Sequence, residues 1–255
     1  MDQRRREADA VQVAAHGSMN DSLGRHVAPY VRLSRFLGGF IHFFSYHLIL
    51  ARKSTQVTRA AGFRLVLRPT VFHPRYFISS ECFAKFIDSL DLSSKRVADI
   101  GTGSGILALA AARAGAENVV ATDINPNAAL SAAENARTNG VGGQVTAVCT
   151  NLLSALAPYP LFDVILSSPP KHAGEPRDLA DRGWHAGQNY RDIAALFDQS
   201  RERLKPGGQL YVMVSSHSDL SLLGTLIDRA GFRASLVHER SIFLDSFLIY
   251  QLVAR

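Results

Sequence analysis

The stretch Val97-Ala-Asp-Ile-Gly-Thr-Gly-Ser-Gly-Ile106 decides the fold of this 255-residue chain. Residues 97–100 have the pattern of a short buried strand, and a helical pattern follows the last glycine directly. Glycines at a strand-to-helix turn let the backbone approach a ligand closely and place it against the N-terminus of the helix. The stretch therefore predicts one strand–turn–helix unit of an α/β fold, with a ligand site at the turn.

The residues around these glycines distinguish between two kinds of cofactor. A dinucleotide fingerprint requires a glycine five positions after the first one, and Ile106 stands there. Asp99 lies two residues before the first glycine, where a carboxylate can hold a cationic amino-acid group directly or through water. Asp123 ends the next predicted strand, 22 residues after Gly101, and can accept hydrogen bonds from both hydroxyls of a ribose. The pattern thus favours S-adenosylmethionine (SAM) over a nicotinamide dinucleotide.

Strand and helix patterns alternate along the rest of the chain. Besides 96–100, strands are predicted at 119–122, 145–148, 164–166 and 210–214, and helices at 81–90, 107–114, 127–139, 190–204 and 219–230. This alternation indicates βαβ units and a parallel sheet. Two last strands, 234–239 and 247–253, are joined by a loop too short for a crossover helix and predict an antiparallel hairpin. The predicted fold is a Rossmann-like, mostly parallel seven-stranded sheet with this hairpin at its C-terminal edge, plus an N-terminal helical extension.

The N-terminal region differs from the rest in charge. The net charge is +6, and residues 1–75 hold twelve Lys/Arg and four Asp/Glu, whereas residues 76–255 hold sixteen and eighteen. A basic region of this kind favours contact with a polyanion such as RNA or with an anionic membrane surface, unless it is a solvated tail without a partner. Cys82 and Cys149 lie far apart without metal-ligand spacing, so we expect no disulfide framework, no metal and a cytoplasmic location.

Three regions are predicted along the chain. Residues 1–28 are interpreted as a mobile basic arm, 29–69 as a helical extension or lid that includes a strand at 63–68, and 70–255 as the main domain. Within the extension, Phe36, Phe40, Phe44 and Leu48 recur every four residues. The apolar run 36–51 is shorter than the ~20 residues that cross a bilayer. The extension is therefore predicted either to cover the pocket or to rest on a membrane surface.

Three segments resemble successive motifs of class I SAM-dependent methyltransferases: 99–105, 122–126 (Thr-Asp-Ile-Asn-Pro) and 162–174 (Phe-Asp-Val-Ile-Leu-Ser-Ser-Pro-Pro-Lys-His-Ala-Gly). The chain is most similar to the small-domain group, which includes ribosomal-RNA guanine-N2 and release-factor glutamine methyltransferases. The resemblance covers about residues 70–255 and implies a SAM-dependent methyltransferase domain there. Asn151 stands where the family usually has an Asp that bonds the adenine amino group. The implied cofactor-binding residues are Asp99, Gly101, Thr102, Gly103, Gly105, Asp123, Ile124, Asn151 and Leu152.

The chain departs from the family in the motif that orients the methyl acceptor. The family pattern is Asn-Pro-Pro followed by an aromatic residue, and this chain has Ser168-Pro169-Pro170-Lys171. Ser168 can accept a hydrogen bond but reaches less far than Asn, and Lys171 cannot stack on a planar base. Because a lysine suits a point charge, the departure favours an acidic or phosphate-bearing acceptor. His172 is predicted to take the proton that the acceptor loses, or else to cap the loop.

The sequence leaves several functions open. The first is methyl transfer to a nitrogen, in preference to an oxygen, of a nucleic acid or protein; the second is methylation of a small metabolite or lipid headgroup. A module that binds SAM without catalysis is a third, and Ile106 argues against a nicotinamide-dependent dehydrogenase. Trp184, the one tryptophan, is predicted to be a stacking platform for the acceptor or an apolar anchor.

Overall fold

The computed structural model describes residues 54–74, 78–242 and 245–255. The predicted arm at 1–28 and the predicted helical or lid segment at 29–53 lie outside these ranges. The elements, in chain order, are β1 (Gln56–Ala60), β2 (Phe63–Leu67), α1 (Ile78–Ile87), β3 (Arg96–Ile100), α2 (Ile106–Arg113), β4 (Asn118–Asp123), α3 (Pro126–Thr138), β5 (Val145–Cys149), β6 (Phe162–Ser167), α4 (Arg191–Arg203), β7 (Leu204–Ser215), α5 (Leu220–Arg229), β8 (Phe232–Ile242) and β9 (Asp245–Ala254).

Seven strands form one sheet in the order β5-β4-β3-β6-β7-β9-β8. The pairs among β3, β4, β5, β6 and β7 are parallel, and β9 is antiparallel to both β7 and β8. The predicted Rossmann-like sheet with an antiparallel C-terminal hairpin is therefore confirmed. From β3 the chain adds β4 and β5 on one side and later β6 and β7 on the other. This reversal of strand order places a crevice at the carboxyl ends of β3 and β6, where open α/β sheets bind ligands.

Helices cover both faces of the sheet, as a parallel sheet requires. One buried cluster joins α1, α2 and α3 to β3 and β4, and the other joins α4 and α5 to the opposite face. Every residue of α2 from Ile106 to Ala112 is buried, which explains why this helix consists of alanine and larger aliphatic residues. The small alanine side chains let α2 lie close to the sheet, and this fixes the turn that precedes it.

Residues 54–69, the described part of the predicted N-terminal extension, form an antiparallel hairpin of β1 and β2, and the helices predicted in this extension lie at 29–53, outside the described residues. In β1 and at the start of β2 buried residues alternate with exposed ones, with Thr58, Ala60, Phe63 and Leu65 buried, so the period there is that of a strand. Val66 and Leu67, at the end of β2, are buried as well. The strand predicted at 63–68 is confirmed, and β1 was not predicted. No helix in the described ranges is long and apolar enough to span a membrane.

The hairpin is joined to α3 by asparagine side chains. Asn135 Oδ1 accepts a hydrogen bond from Val66 N at 2.6 Å, and Asn135 Nδ2 donates to Val66 O at 3.0 Å. Asn139 makes the same pair of bonds with Arg64 N and O, at 3.1 and 2.8 Å. These amides satisfy polar groups along the edge of β2, an edge that otherwise invites another strand. The hairpin is thereby held beside the chain segment 70–72, which enters the crevice.

Candidate functional site

A cavity of about 490 Å³ lies at the carboxyl ends of the parallel strands. We call one part of it the glycine end, formed by residues 101–104, 123–125 and 151–152. We call the other part the lysine end, formed by residues 168–171 together with Arg182, Trp184, Asp192, Ser215 and Asp245. All of the predicted site residues line this cavity except Asp99, Gly105 and His172.

The turn after β3 presents bare backbone to the cavity. Gly101 and Gly103 have φ angles of 73° and 53°, in the left-handed region that favours glycine. The N–H groups of Gly101 and Thr102 both donate to Thr122 O at 2.9 Å, which fixes the turn against the end of β4. Apart from the adjacent residues of the chain, no atom of the described residues lies within 4 Å of a Cβ built on Gly101 or Gly103. The open space over these two glycines is therefore part of the cavity and could admit a ligand close to the main chain.

The third glycine has a different position. A Cβ on Gly105 would lie 2.9 Å from Ala132 Cα and 3.0 Å from Ala132 Cβ. Gly105 also has a φ angle of 81° at the residue that caps α2. The structure thus places Gly105 between α2 and α3, where it lets the two helices approach, and not on the cavity surface.

Asp123 ends β4 and faces the cavity beside the glycine turn. Its Oδ2 accepts a hydrogen bond from Gly103 N at 2.9 Å, and its Oδ1 accepts one from Asn125 N at 2.8 Å. Burial raises the pKa of Asp123, and the backbone hydrogen bonds from Asn125 and Gly103 oppose this effect. Each carboxylate oxygen has a second lone pair, so the side chain can accept two further hydrogen bonds from a bound diol.

Asp99 lies beneath the turn and is fully buried. Its Oδ2 accepts hydrogen bonds from Thr102 Oγ1 at 2.6 Å and Ala108 N at 3.1 Å. Its Oδ1 is buried without a hydrogen-bond partner among the described residues. Burial raises the pKa of Asp99 to about 7, although the hydrogen bonds from Thr102 and Ala108 lower it. A cation bound in the cavity above the turn would stabilise the charged form of this buried carboxyl group.

Asn151 and Leu152 follow β5 and complete the glycine end. Leu152 has a φ angle of 53°, and Asn151 O accepts a hydrogen bond from Ser154 N at 3.0 Å. The Asn151 residue is exposed where it lines the cavity. Its amide is therefore available to a ligand, as the resemblance implies.

At the lysine end, the loop 168–171 follows β6. Ser167 Oγ donates to Ile100 O at 3.0 Å and ties the end of β6 to the end of β3. Lys171 O accepts a hydrogen bond from the buried Tyr190 hydroxyl at 2.7 Å. Lys171 Nζ lies 3.8 Å from Asp245 Oδ2 and 5.5 Å from the centroid of the Trp184 ring. Both the backbone and the ammonium of Lys171 are thus fixed by residues from distant parts of the chain.

His172 and Trp184 belong to the wall behind this loop. His172 N donates to Trp184 O at 3.1 Å, and the two rings stack with centroids 5.9 Å apart at 20°. Phe72 packs against Trp184 from another side, at 5.8 Å between centroids. Trp184 is only 6% exposed. The structure therefore places His172 outside the cavity lining and gives Trp184 a packed position, with little open ring surface.

Two ion pairs line the lysine end. Besides the pair of Lys171 and Asp245, Arg182 Nη1 lies 3.5 Å from Asp192 Oδ2. These four residues and Asp123 are the charged side chains among the described lining residues. The sequence did not single out Asp192 or Asp245, because α4 and β9 approach the cavity only through the tertiary fold. Within the described ranges no group of three or more His, Cys, Asp or Glu residues could hold a metal ion.

The sequence of this chain is similar to those of known methyltransferases. A family model described as ribosomal protein L11 methyltransferase (PrmA) matches residues 80–168. The chain is 30% identical to a ribosomal protein L11 methyltransferase of Deinococcus radiodurans over 185 residues, 72% of this chain and 62% of the relative. It is 52% identical to that of Vibrio vulnificus over 61 residues, 24% of this chain and 21% of the relative. The chain thus spans less than two thirds of the length of either relative.

Solved structures show the same fold. A 16S rRNA N2 methyltransferase of T. thermophilus, in complex with AdoMet and guanosine, superposes with a TM-score of 0.57 and 21% identity, covering 79% of this chain and 50% of that chain. The ribosomal protein L11 methylase of Lactobacillus delbrueckii subsp. bulgaricus gives 0.53 and 24%, covering 72% and 82%. Together with the sequence matches, these structures confirm the predicted resemblance to class I SAM-dependent methyltransferases. The sequence motifs did not indicate the L11 methyltransferases among them.

Proposed function

We propose that the protein is a SAM-dependent methyltransferase that acts on a nitrogen of a macromolecule. The observation that carries the proposal is one cavity that joins the open glycine turn, the carboxylate of Asp123 and the loop 168–171. Two features fit this cofactor: the space over Gly101 and Gly103 in the glycine end, and the Oδ1 of Asp99, which is buried beneath the same turn without a described partner. The cofactor would occupy that space with its ribose at Asp123 and its cationic amino-acid group above Asp99.

The residues of the glycine end would each hold one part of the cofactor. Asp123 would accept hydrogen bonds from the ribose hydroxyls, and Asn151 would accept one from the adenine amino group. Asp99 would stabilise the amino-acid end, directly or through water. When it is bound, SAM supplies a methyl group already activated by its sulfonium. The remaining requirement is that the chain holds the acceptor in line with that group, since positioning alone supplies a large part of the rate.

The loop 168–171 would position the acceptor. Ser168 lines the cavity. Its hydroxyl oxygen would accept a hydrogen bond from an acceptor N–H, which would aim the nitrogen lone pair at the methyl group. Lys171 has no ring, and Trp184 is packed between Phe72 and His172, so neither offers an open surface for a planar base. The lysine end therefore suits a protein amine better than a nucleobase. A ribosomal protein is our first candidate, since the sequence relatives are named for ribosomal protein L11.

RNA is the second candidate acceptor, favoured by the hairpin. Arg59 lies directly opposite Arg64 across β1 and β2, and both are exposed. Like charges at such positions destabilise a hairpin. In the described ranges neither arginine has an acidic side chain within 4.0 Å, and residues 54–74 contain no Asp or Glu. A phosphate backbone would relieve this repulsion.

Methyl transfer and cofactor binding are tested together. The purified chain would first be titrated with SAM and with S-adenosylhomocysteine (SAH) by calorimetry. Radiolabelled SAM would then be supplied with unmodified ribosomal proteins or with unmodified ribosomal RNA. We expect SAM binding and label in the protein fraction, whereas label in the RNA alone would favour the second candidate. A folded protein that binds neither SAM nor SAH would contradict the proposal, and binding without transfer would favour a non-catalytic module.

A further inference from the structure

We infer that Asp245 determines the charge preference of the acceptor site: by neutralising Lys171, it makes the lysine end accept neutral or cationic groups and exclude anions. This inference rests on the proposed function, because it concerns the acceptor side of that cavity. It opposes the expectation from sequence, in which the positive charge of Lys171 favours an acidic or phosphate-bearing acceptor.

Asp245 is held in place by several donors from the end of β7. Ser215 Oγ donates to its Oδ1 at 2.7 Å, and Ser216 Oγ donates to the same oxygen at 3.0 Å. His217 Nδ1 lies 3.0 Å from Oδ1 as well. Oδ2 also accepts from Ser215 Oγ, at 2.9 Å, and it is the oxygen that lies 3.8 Å from Lys171 Nζ. The carboxylate is therefore a fixed acceptor and not a mobile surface group, and its side chain is 21% exposed.

Lys171 has little freedom to move away from Asp245. Its carbonyl oxygen accepts a hydrogen bond from the Tyr190 hydroxyl, and this hydroxyl in turn accepts a hydrogen bond from Asp219 N at 3.1 Å. Its ammonium lies over the ring of Trp184. Only 35% of the Lys171 side chain is exposed, so water screens this pair less than it screens a surface ion pair.

The other cation at this end is compensated in the same way. Arg182 is paired with Asp192 from α4. Asp192 also lies 3.5 Å from Arg191, but Arg191 has Glu175 as a second partner at 3.0 Å and does not line the cavity. Among the described lining residues, Lys171 and Arg182 are thus each paired with a carboxylate. Asp123 gives this set of side chains a net charge of one negative unit. A net negative lining suits a cofactor with a cationic sulfonium and an acceptor that is neutral or cationic. Among these described residues, a phosphate would meet no uncompensated cation.

The charge preference can be measured with inorganic phosphate as the probe. Trp184 is the one tryptophan of the chain, so its fluorescence reports on the ring beneath Lys171. Titrations at pH 8, where imidazoles are ordinarily neutral, would compare the wild type with Asp245→Asn, with and without SAH. Asparagine retains an oxygen that can accept from Ser215 and Ser216 but carries no charge. We expect Asp245→Asn to bind phosphate roughly five- to tenfold more tightly than the wild type, since one compensating charge is removed.

Two variants make the result specific. Adding Lys171→Gln to Asp245→Asn should abolish the gain in phosphate affinity, because the freed ammonium is then gone. Asp163→Asn is the matched control, since Asp163 pairs with Lys205 at 2.8 Å and neither residue lines the cavity. This control should leave the tryptophan response as in the wild type.

The outcomes separate this inference from the proposed function. If Asp245→Asn and the wild type bind phosphate equally, or if the double variant retains the gain, the inference is overturned even when SAH binds normally. If SAH does not bind to any variant, the proposed function fails, while the phosphate titration without SAH still decides the charge balance. A thermal unfolding curve of each variant confirms that the compared proteins are folded.

Discussion

The glycine end and the lysine end of the cavity are built in different ways. The glycine end consists of backbone and short side chains that directly follow β3, β4 and β5. The lysine end brings together residues from the loop after β6, from α4, from the end of β7 and from the start of β9. Contacts at the first end depend on the path of the main chain, whereas contacts at the second are ion pairs between side chains. Main-chain contacts suit a cofactor that stays the same from one reaction to the next. Side-chain ion pairs can change when the acceptor changes.

The largest expected effect is at Asp123. Replacing Asp123 with Ala removes a charged acceptor from both ribose hydroxyls, and each such hydrogen bond contributes ~1.5–3 kcal/mol. We expect SAM affinity to fall by about 100-fold or more, measured by calorimetry. Asp123→Asn, which keeps one acceptor oxygen, should lose less.

Asp123 also accepts from Gly103 N and Asn125 N, so folding must be checked by thermal unfolding. The matched change at the lysine end is Asp192→Ala, which should leave SAM affinity within a few-fold of the wild type. A folded Asp123→Ala variant with unchanged SAM affinity would show that the cofactor does not bind at the glycine end.

A pair of glycine variants separates binding from packing. Gly101 and Gly105 have similar φ angles, 73° and 81°, in the left-handed region. Replacing either glycine with alanine should therefore lower the free energy of unfolding by roughly 1–2 kcal/mol through backbone strain. At Gly101 the methyl group enters the cavity, and SAM affinity should fall about tenfold or more. At Gly105 it meets Ala132 Cα, which should add about 1–3 kcal/mol of instability.

Calorimetric SAM titrations and denaturant unfolding of the two variants give the comparison. Equal losses of stability with equal losses of affinity would mean that the first and third glycines have the same role. The resemblance alone assigned both to cofactor binding, and only the distance to Ala132 distinguishes them.

The sheet and the glycine end could be predicted from the sequence because their signals are local. The strand 96–100 was predicted with its observed bounds, and most other elements differ by a few residues. Asp123 was singled out because it ends the next predicted strand after the glycine turn. The structure pairs that strand in parallel with β3, and Asp123 therefore lies beside the turn after β3. Hydrophobic period and the position of the glycine turn thus carried this part of the prediction.

The lysine end could not be predicted in the same way. Asp245 is 74 residues from Lys171, and nothing near either residue in sequence indicates their pairing. β1 was missed for another reason: the turn at Ala61-Gly62 places Ala61 at a φ of 50°, an unusual angle for alanine, and carries none of the common hairpin signals. Both features depend on tertiary contacts, with β9 in one case and α3 in the other.

The pH dependence of cofactor binding tests Asp99. Burial raises the pKa of this carboxyl to about 7, so part of it is protonated near neutral pH in the free protein. A bound cationic group lowers the pKa, and binding must then release a proton. SAH affinity should therefore rise with pH, by up to roughly tenfold between pH 6 and 7.5, and then level off.

Calorimetry in buffers of different ionisation enthalpy measures the released proton directly. Asp99→Asn cannot titrate at this position, so its affinity should rise less steeply over the same interval, with Asp123 as the remaining buried carboxyl group of raised pKa. Proton uptake on binding, or an unchanged pH profile in a folded Asp99→Asn variant, would show that Asp99 does not interact with the cofactor.

The smallest expected effect is at Tyr190, which connects the lysine end to α5. Its hydroxyl group donates a hydrogen bond to Lys171 O and accepts one from Asp219 N. Asp219 is the residue that caps the N-terminus of α5. Tyr190→Phe leaves both groups without this partner, which should lower stability by about 1–3 kcal/mol and loosen the loop 168–171. Because acceptor geometry in the proposed function depends on that loop, we expect a few-fold lower kcat with SAM affinity unchanged.

Tyr211→Phe is the control. Tyr211 also has a buried hydroxyl group, which is hydrogen-bonded to Gln209 and Gln251 away from the cavity. If both variants lower kcat equally, the loss reflects general destabilisation. If only Tyr190→Phe lowers kcat and SAM affinity is unchanged, the loop 168–171 positions the acceptor without affecting the glycine end.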